Sequence, residues 1–277
     1  KFICGQSRER NPIVLAKNVV LHMKKSVFKE CKTYHSSPLH FESSPQQKYH
    51  HYQKQILSVV NSSFIENTAH YHGGGISAKC KGGCKVHILQ SFFINNRASV
   101  TGGAVFITES DVVKLEKCNF TDNQAHYYGG AVTLQNTHKM LIAENYFDNN
   151  FAGISYKERT IEDQICDKLQ ENCNENVDTK YGGAIFIDNV TLLDMINSTF
   201  SENSALNGAA LYMKTISILK CIRLFVLHNF AKMSGSLYTK DCGNVTVFES
   251  IFKNNHGKIE GGALTAIKSN LITIRSS

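Results

Sequence analysis

The chain has no run of about 18 apolar residues, which excludes a transmembrane helix. Its nearest approach, "ISILKCIRLFVLH" from Ile216, carries Lys220 and Arg223 and alternates like a strand. No cleavable leader is visible. Only three prolines occur in 277 residues, and two of them, Pro38 and Pro45, fall in one polar segment. The net charge of +7 comes without any recognition motif for nucleic acid, so nucleic acid is not an expected partner.

What the chain has is a repeat. "FIEN", "FINN", "FTDN", "FDNN", "FSEN" and "FKNN" start at Phe64, Phe93, Phe120, Phe147, Phe200 and Phe252, with a degraded "VLHN" at Val226. Most are followed about six residues later by a glycine pair, as in "GGAV" and "GGAL". Successive starts lie 29, 27, 27, 53, 26 and 26 residues apart, and a period of this size marks a solenoid. Seven and five residues before each Phe stand apolar pairs such as Val86/Ile88, Val113/Leu115 and Leu193/Met195. A second pair follows the glycines, as in Val105/Ile107 and Val132/Leu134, and a third strand ends on the Phe itself. Alternation at period two means strand. The expected fold is all-β: a right-handed parallel β-helix, one domain over residues 1–277, with three short strands per coil of about 27 residues.

Stacked coils place equivalent residues above one another. The Phe column then forms an aromatic core, and Asn67, Asn96, Asn123, Asn150, Asn203, Asn229 and Asn255 form a ladder, since each amide both donates and accepts. The glycines supply a positive φ or a close approach at a tight bend. Leu21, Met23, Ser26 and Phe28 fit the same register, with Cys31 where asparagine is expected. Two polar insertions interrupt the pattern, at 32–55 and 153–180; the second explains the 53-residue gap as one coil carrying an insertion.

The alternation of these two spaced motifs resembles the paired repeats of the chlamydial polymorphic outer-membrane proteins. The resemblance runs from about Leu21 to the end and implies a surface-exposed β-helical passenger used for adhesion or structure. The chain starts at Lys1 without Met and stops two residues short of the next expected Phe, which reads as a piece of a longer protein. Its last strand, with Ile272 and Ile274, would leave an open edge, so partners are expected as neighbouring subunits of an extracellular fibre or layer.

Nine cysteines are many for a reducing compartment. Cys166 with Cys173, and Cys80 with Cys84 around a "KGG" turn, suit local disulfides; zinc is a rival for "CKGGC" but lacks a second ligand pair. Cys118 and Cys221 fall in inward columns. Sequons occur at Asn61, Asn119, Asn189, Asn197 and Asn244, all at bends or outward positions. Residues 1–60 hold ten Lys/Arg against three acids, read either as a solvated basic end or as a contact for sulfated or carboxylated glycans.

Many β-helices are polysaccharide lyases or hydrolases, which need clustered carboxylates. The residues before the ladder are Glu66, Asn95, Asp122, Asn149, Glu202, His228 and Asn254, with no two acids in adjacent coils, so the row reads as a polar edge. His70 and His126 are two coils apart, roughly 10 Å, too far to share a metal. No catalytic, cofactor or metal residue is assigned. One column after the glycines, with Phe186, Tyr212 and Tyr238 in successive coils, alternates outward and is expected either as an exposed aromatic platform or as a stack shielding a sheet face. The expectation is an extracellular, non-enzymatic, glycosylated structural or adhesive protein. The rival is a carbohydrate-active enzyme whose catalytic coils are not visible in these motifs.

Overall fold

The computed structural model describes residues 1–4, 8–9, 11–34, 37–44, 55–153 and 180–276. Every regular element among them is a strand, and the strands pair in parallel into three sheets. The chain is a β-solenoid of about nine turns: Phe2–Ile3, Val27–Lys29, Ser63–Ile65, Phe92–Ile94, Asn119–Thr121, Tyr146–Asp148, Thr199–Ser201, Phe225–Leu227 and Ile251–Lys253 stack in that order as one sheet.

The interior follows the alternation. Phe28, Phe64, Phe93, Phe120, Phe147 and Phe200 are fully buried. Their rings stack at centroid separations of 5.0, 5.0, 4.7, 4.7 and 4.9 Å, nearly parallel. Each such burial contributes about 1.5–3 kcal/mol relative to exposure. Opposite them lie the two apolar pairs of the long sheet, paired coil to coil as Val86↔Val113 and Ile88↔Leu115, then Val105↔Val132 and Ile107↔Leu134. Phe2 stacks on Phe28 at 4.6 Å and so adds a first coil that carries no other trace of the motif.

The asparagine ladder is complete. Each backbone N–H and each Nδ2 donates to Oδ1 of the next asparagine, at 2.9–3.1 Å from Asn67 to Asn96 and at 3.0 Å for both bonds from Asn96 to Asn123. The same Nδ2 also donates backward to the carbonyl of the previous coil's phenylalanine, as from Asn123 to Phe93 at 2.9 Å. The series continues through Asn150, Asn203 and Asn229 to Asn255. Five residues earlier runs a second ladder, not anticipated as one. Ser62 Oγ accepts from the Ser26 amide and Ser91 Oγ from the Ser62 amide. Asn145 serves Cys118, and Ser198 serves Asn145, in the same way. The small residues two before each Phe are therefore there to bond as well as to fit.

The corners are made by left-handed residues. Glu66, Asn95, Asp122, Asn149, Glu202, His228 and Asn254 all have φ between 50° and 56°. So do Asn61, Gln90, Lys117, Glu144, Asn197, Arg223 and Glu249 at a second corner, with φ between 46° and 55°. These side chains point to solvent, which is why the row before the ladder is polar: it is selected by backbone conformation, at about 1–2 kcal/mol per non-glycine residue. In the glycine pairs the two members differ. Gly102 has φ +64, whereas a Cβ on Gly103 would meet the Gly130 carbonyl oxygen at 2.0 Å.

Two sequence expectations change in detail. The three expected strands are present, and a short further strand joins them. After the asparagine corner the chain runs two residues in a further sheet, as Thr68–Ala69, Arg97–Ala98 and Gln124–Ala125, with Ala69, Ala98 and Ala125 turned inward. In three coils the two strands of the long sheet fuse into one of 12 residues, such as Val132–Ala143. The insertion expected at 32–55 is shorter than that. Lys32–Thr33 and Leu39–Ser43 are coil strands, and Leu39 and Phe41 are fully buried in the core, so their apolar alternation outweighs the polar setting. Residues 45–54 lie outside the described residues, as do 154–179. Across the second gap Val132↔Ile185 and Phe147↔Phe200 pair directly, so the coil before the gap resumes without loss of register.

Cys80 and Cys84 form a disulfide, while Cys166 and Cys173 lie outside the described residues. Cys4 and Cys31 also join, tying the first coil to the second. Cys31 stands in the asparagine column, and its N–H is taken by Asn67 Oδ1 at 3.0 Å. Cys118 and Cys221 are buried free thiols, and desolvation pushes both up to about 12.

Candidate functional site

With the motif residues turned inward, function is left to three outer faces. The first is the outside of the long sheet, where Phe186, Tyr212 and Tyr238 were placed as a possible exposed platform. They are not exposed: Tyr212 retains 5% of its accessible surface, and the three form a hydrophobic cluster separate from the core. The cause is the glycine turn. The residue just before each pair makes single bridges to its counterparts, Thr101↔Tyr128 and Tyr128↔Tyr181 among them. The left-handed glycine then folds that row back over the strand. Tyr128 stacks on Phe186 at 4.8 Å, Tyr181 on Tyr212 at 4.4 Å, and His72 on Phe106 at 4.7 Å. Burial, reinforced by Tyr238 and Tyr181, pushes the Tyr212 hydroxyl above its ordinary range. This is a second small core, the shielding stack rather than the platform. Tyr212→Ser should therefore lower stability by about 3 kcal/mol, as large-to-small core changes do. A urea midpoint within the scatter of surface substitutions would return the column to the exposed class.

The second face is the outside of the phenylalanine sheet. The residue before each motif Phe points outward, and neighbours pair as Phe92↔Asn119, Asn119↔Tyr146, Tyr146↔Thr199 and Thr199↔Phe225. Phe92 is 49% exposed, Tyr146 40% and Phe225 43%. Large rings thus recur at every second coil along an open face. Sequence reasoning used this position only for Asn119, between inward Cys118 and Phe120; reading the same position in every copy would have found the column.

The third face is the outside of the short-strand sheet, where side chains line an open cavity of about 560 Å³. Among the described residues its lining includes Lys32, Tyr34, His70, Arg97, Gln124 and His126, and no carboxylate. Tyr34 stacks on His70 at 4.4 Å, and His126 on Tyr127 at 4.3 Å. The row along the strands is set by the ladder register, Lys32↔Thr68↔Arg97↔Gln124. His70 and His126 line one groove. Among the described residues no group of three or more His, Cys, Asp or Glu is placed to hold a metal.

The acidic edge borders this groove and differs in one respect from the sequence reading. Glu30 stands in the coil next to Glu66, its N–H bonded to the Ile65 carbonyl, so two carboxylates do occupy adjacent coils. Lys29 holds Glu30 at 2.9 Å, and both acids raise the Lys29 ammonium. Farther along, Asn149 donates to Asp122 at 2.6 Å.

The sequons are spread over the corners and the second face. Asn61, Asn189 and Asn197 are exposed left-handed corner residues, Asn244 is exposed at the start of a strand, and Asn119 is half-buried on the phenylalanine sheet. Asn189 Nδ2 donates to Asn136 Oδ1 at 2.8 Å, and Asn197 Oδ1 accepts from Arg223 Nε at 2.7 Å.

A family model, the Chlamydia polymorphic membrane protein repeat, matches residues 61–79. These residues run from the Asn61 corner through Phe64 and Asn67 to the strand beyond the glycines, one copy of the repeat. No curated protein and no solved structure matches the chain.

Proposed function

We propose that this chain is a non-enzymatic surface element, a stiff extracellular rod that presents adhesive side chains at one-coil intervals. The observation that carries the reading is the fate of the repeated motif. Its phenylalanines, asparagines and glycines are consumed in coil-to-coil packing and bonding, so what they specify is a continuous rigid stack. The outer faces are then free to vary as regular columns. The matched repeat, that of the Chlamydia polymorphic membrane proteins, supports a cell-surface setting, and the two disulfides among the described residues fit an oxidising one.

The groove on the short-strand face is the adhesive surface of this proposal. Lys32 and Arg97 supply charge, and the Tyr34–His70 stack supplies a flat apolar face. Chains of carboxylated or sulfated sugars suit that lining, because the coil spacing of about 4.8 Å is close to the advance of one sugar along an extended glycan. The test is to incubate the protein with soluble carboxylated and sulfated polysaccharides. Retention on the immobilised polymer, weakened severalfold by Lys32→Ala with Arg97→Ala, is the expected result. Release of new reducing ends or unsaturated uronate would overturn the reading and make the chain an enzyme.

A further inference from the structure

The open column of the phenylalanine sheet holds a sequon in an unusual setting. Asn119, Phe120 and Thr121 form one short strand, with Phe120 buried and the other two turned outward. The Thr121 hydroxyl donates to Asn119 Oδ1 at 2.5 Å. This occupies the carbonyl end of the amide, and among the described residues Nδ2 has no acceptor. By contrast, Asn189 commits its Nδ2 to Asn136. On either side of Asn119, one coil away, stand the exposed rings of Phe92 and Tyr146.

We propose that Asn119 carries an N-linked glycan whose first sugar packs across Phe92 and Tyr146. One face of a pyranose is lined with C–H groups, which an aromatic face attracts through its quadrupole. Attachment midway between two rings, each about 4.8 Å away, presents that face with little loss of freedom. In the modification, Nδ2 bonds to C1 of the sugar as the C1–O bond to a lipid-linked pyrophosphate breaks. The lipid pyrophosphate leaves with the electron pair, one amide proton is lost, and nothing is oxidised or reduced. The inference deepens the surface reading above and adds what covers this face: the chain's own sugar rather than a second copy.

The experiment is secretion of the full chain from a eukaryotic host, followed by glycopeptide mass spectrometry and thermal unfolding. Asn119 is expected to be occupied, and both Asn119→Gln and Thr121→Ala to abolish occupancy. Loss of the glycan should lower the thermal midpoint by about 2–4 °C in the parent protein. In a Phe92→Ser, Tyr146→Ser background, where Asn119 stays occupied, the same loss should leave the midpoint unchanged. Occupancy of Asn61 or Asn244 with Asn119 bare would overturn the proposal while leaving the surface reading intact. So would a midpoint shift that persists without the two rings, or dimers of the unmodified protein joined through Phe92 and Tyr146. Polysaccharide turnover, the result that defeats the surface reading, is scored separately.

Discussion

Asn123→Ala should destabilise the protein by about 3–5 kcal/mol, although the side chain is small and no apolar contact is lost. Asn123 Oδ1 is the acceptor for both the backbone N–H and the Nδ2 of Asn96, each at 3.0 Å, and its Nδ2 serves Phe93 and Asn150. All of these groups are buried, and each buried donor left without a partner costs about 1–3 kcal/mol. Asn136→Ala is the matched control. That residue is exposed at φ 52° and takes one bond from Asn189, so its loss should cost about 1 kcal/mol, mainly as left-handed strain. Urea midpoints measure the difference, and hydrogen exchange at the Asn96 amide locates it. Equal midpoints and a protected Asn96 amide would remove the ladder from the account of stability.

Gly103→Ala should be at least as damaging, above about 4 kcal/mol, by a different route. The added Cβ would sit 2.0 Å from the Gly130 oxygen and 2.5 Å from the Gln124 oxygen. Both contacts are backbone of the next coil, so no side chain can yield. The chain shows what an alanine there involves. Ala209 occupies the equivalent place, and beside it the pairing of Ser204–Asn207 with Phe230–Ser234 slips register. Around Gly103 the pairing is regular on both sides, so relief means opening the coil spacing. Gly262→Ala, whose Cβ meets Asn255 oxygen at 3.0 Å in a half-exposed coil, should cost far less. A thermal midpoint for Gly103→Ala no lower than that of Gly262→Ala would show that the glycines are not there for clearance.

How far the sequence could be read depends on which direction a residue faces. Inward positions were legible because alternation at period two and a 27-residue repeat together fix both face and register; Val86, Ile88, Phe93 and Asn96 fall where they were expected. Outward positions were less so, since alternation says that Tyr212 leaves the barrel but not that Tyr181 will be folded over it. The ring that is open, Phe92, adjoins a motif phenylalanine and was masked by it. The two-residue strands escaped because Arg97–Ala98 is too short to alternate. The left-handed corners were visible only as a polar row, since asparagine, aspartate, glutamate and histidine there answer to φ rather than to chemistry. Cys31 was seen in the asparagine column, but nothing in the spacing from Cys4 marked the pair as bonded.

The orientation of the ladder amides gives the stack an electrical direction. A backbone N–H can only donate, so the Asn96 amide requires an oxygen from Asn123, and the Phe93 carbonyl requires a hydrogen from it. With both ends of the side chain assigned by the backbone, no amide can flip, and from Asn67 to Asn229 every asparagine-to-asparagine bond runs from a donor toward an Oδ1 of higher residue number. Aligned amide dipoles add, as they do along an α-helix, and each polarises the next. A coil therefore has an acceptor side and a donor side, and only one way up on its neighbour. Any growth of such a stack, within one chain or between chains, is head to tail.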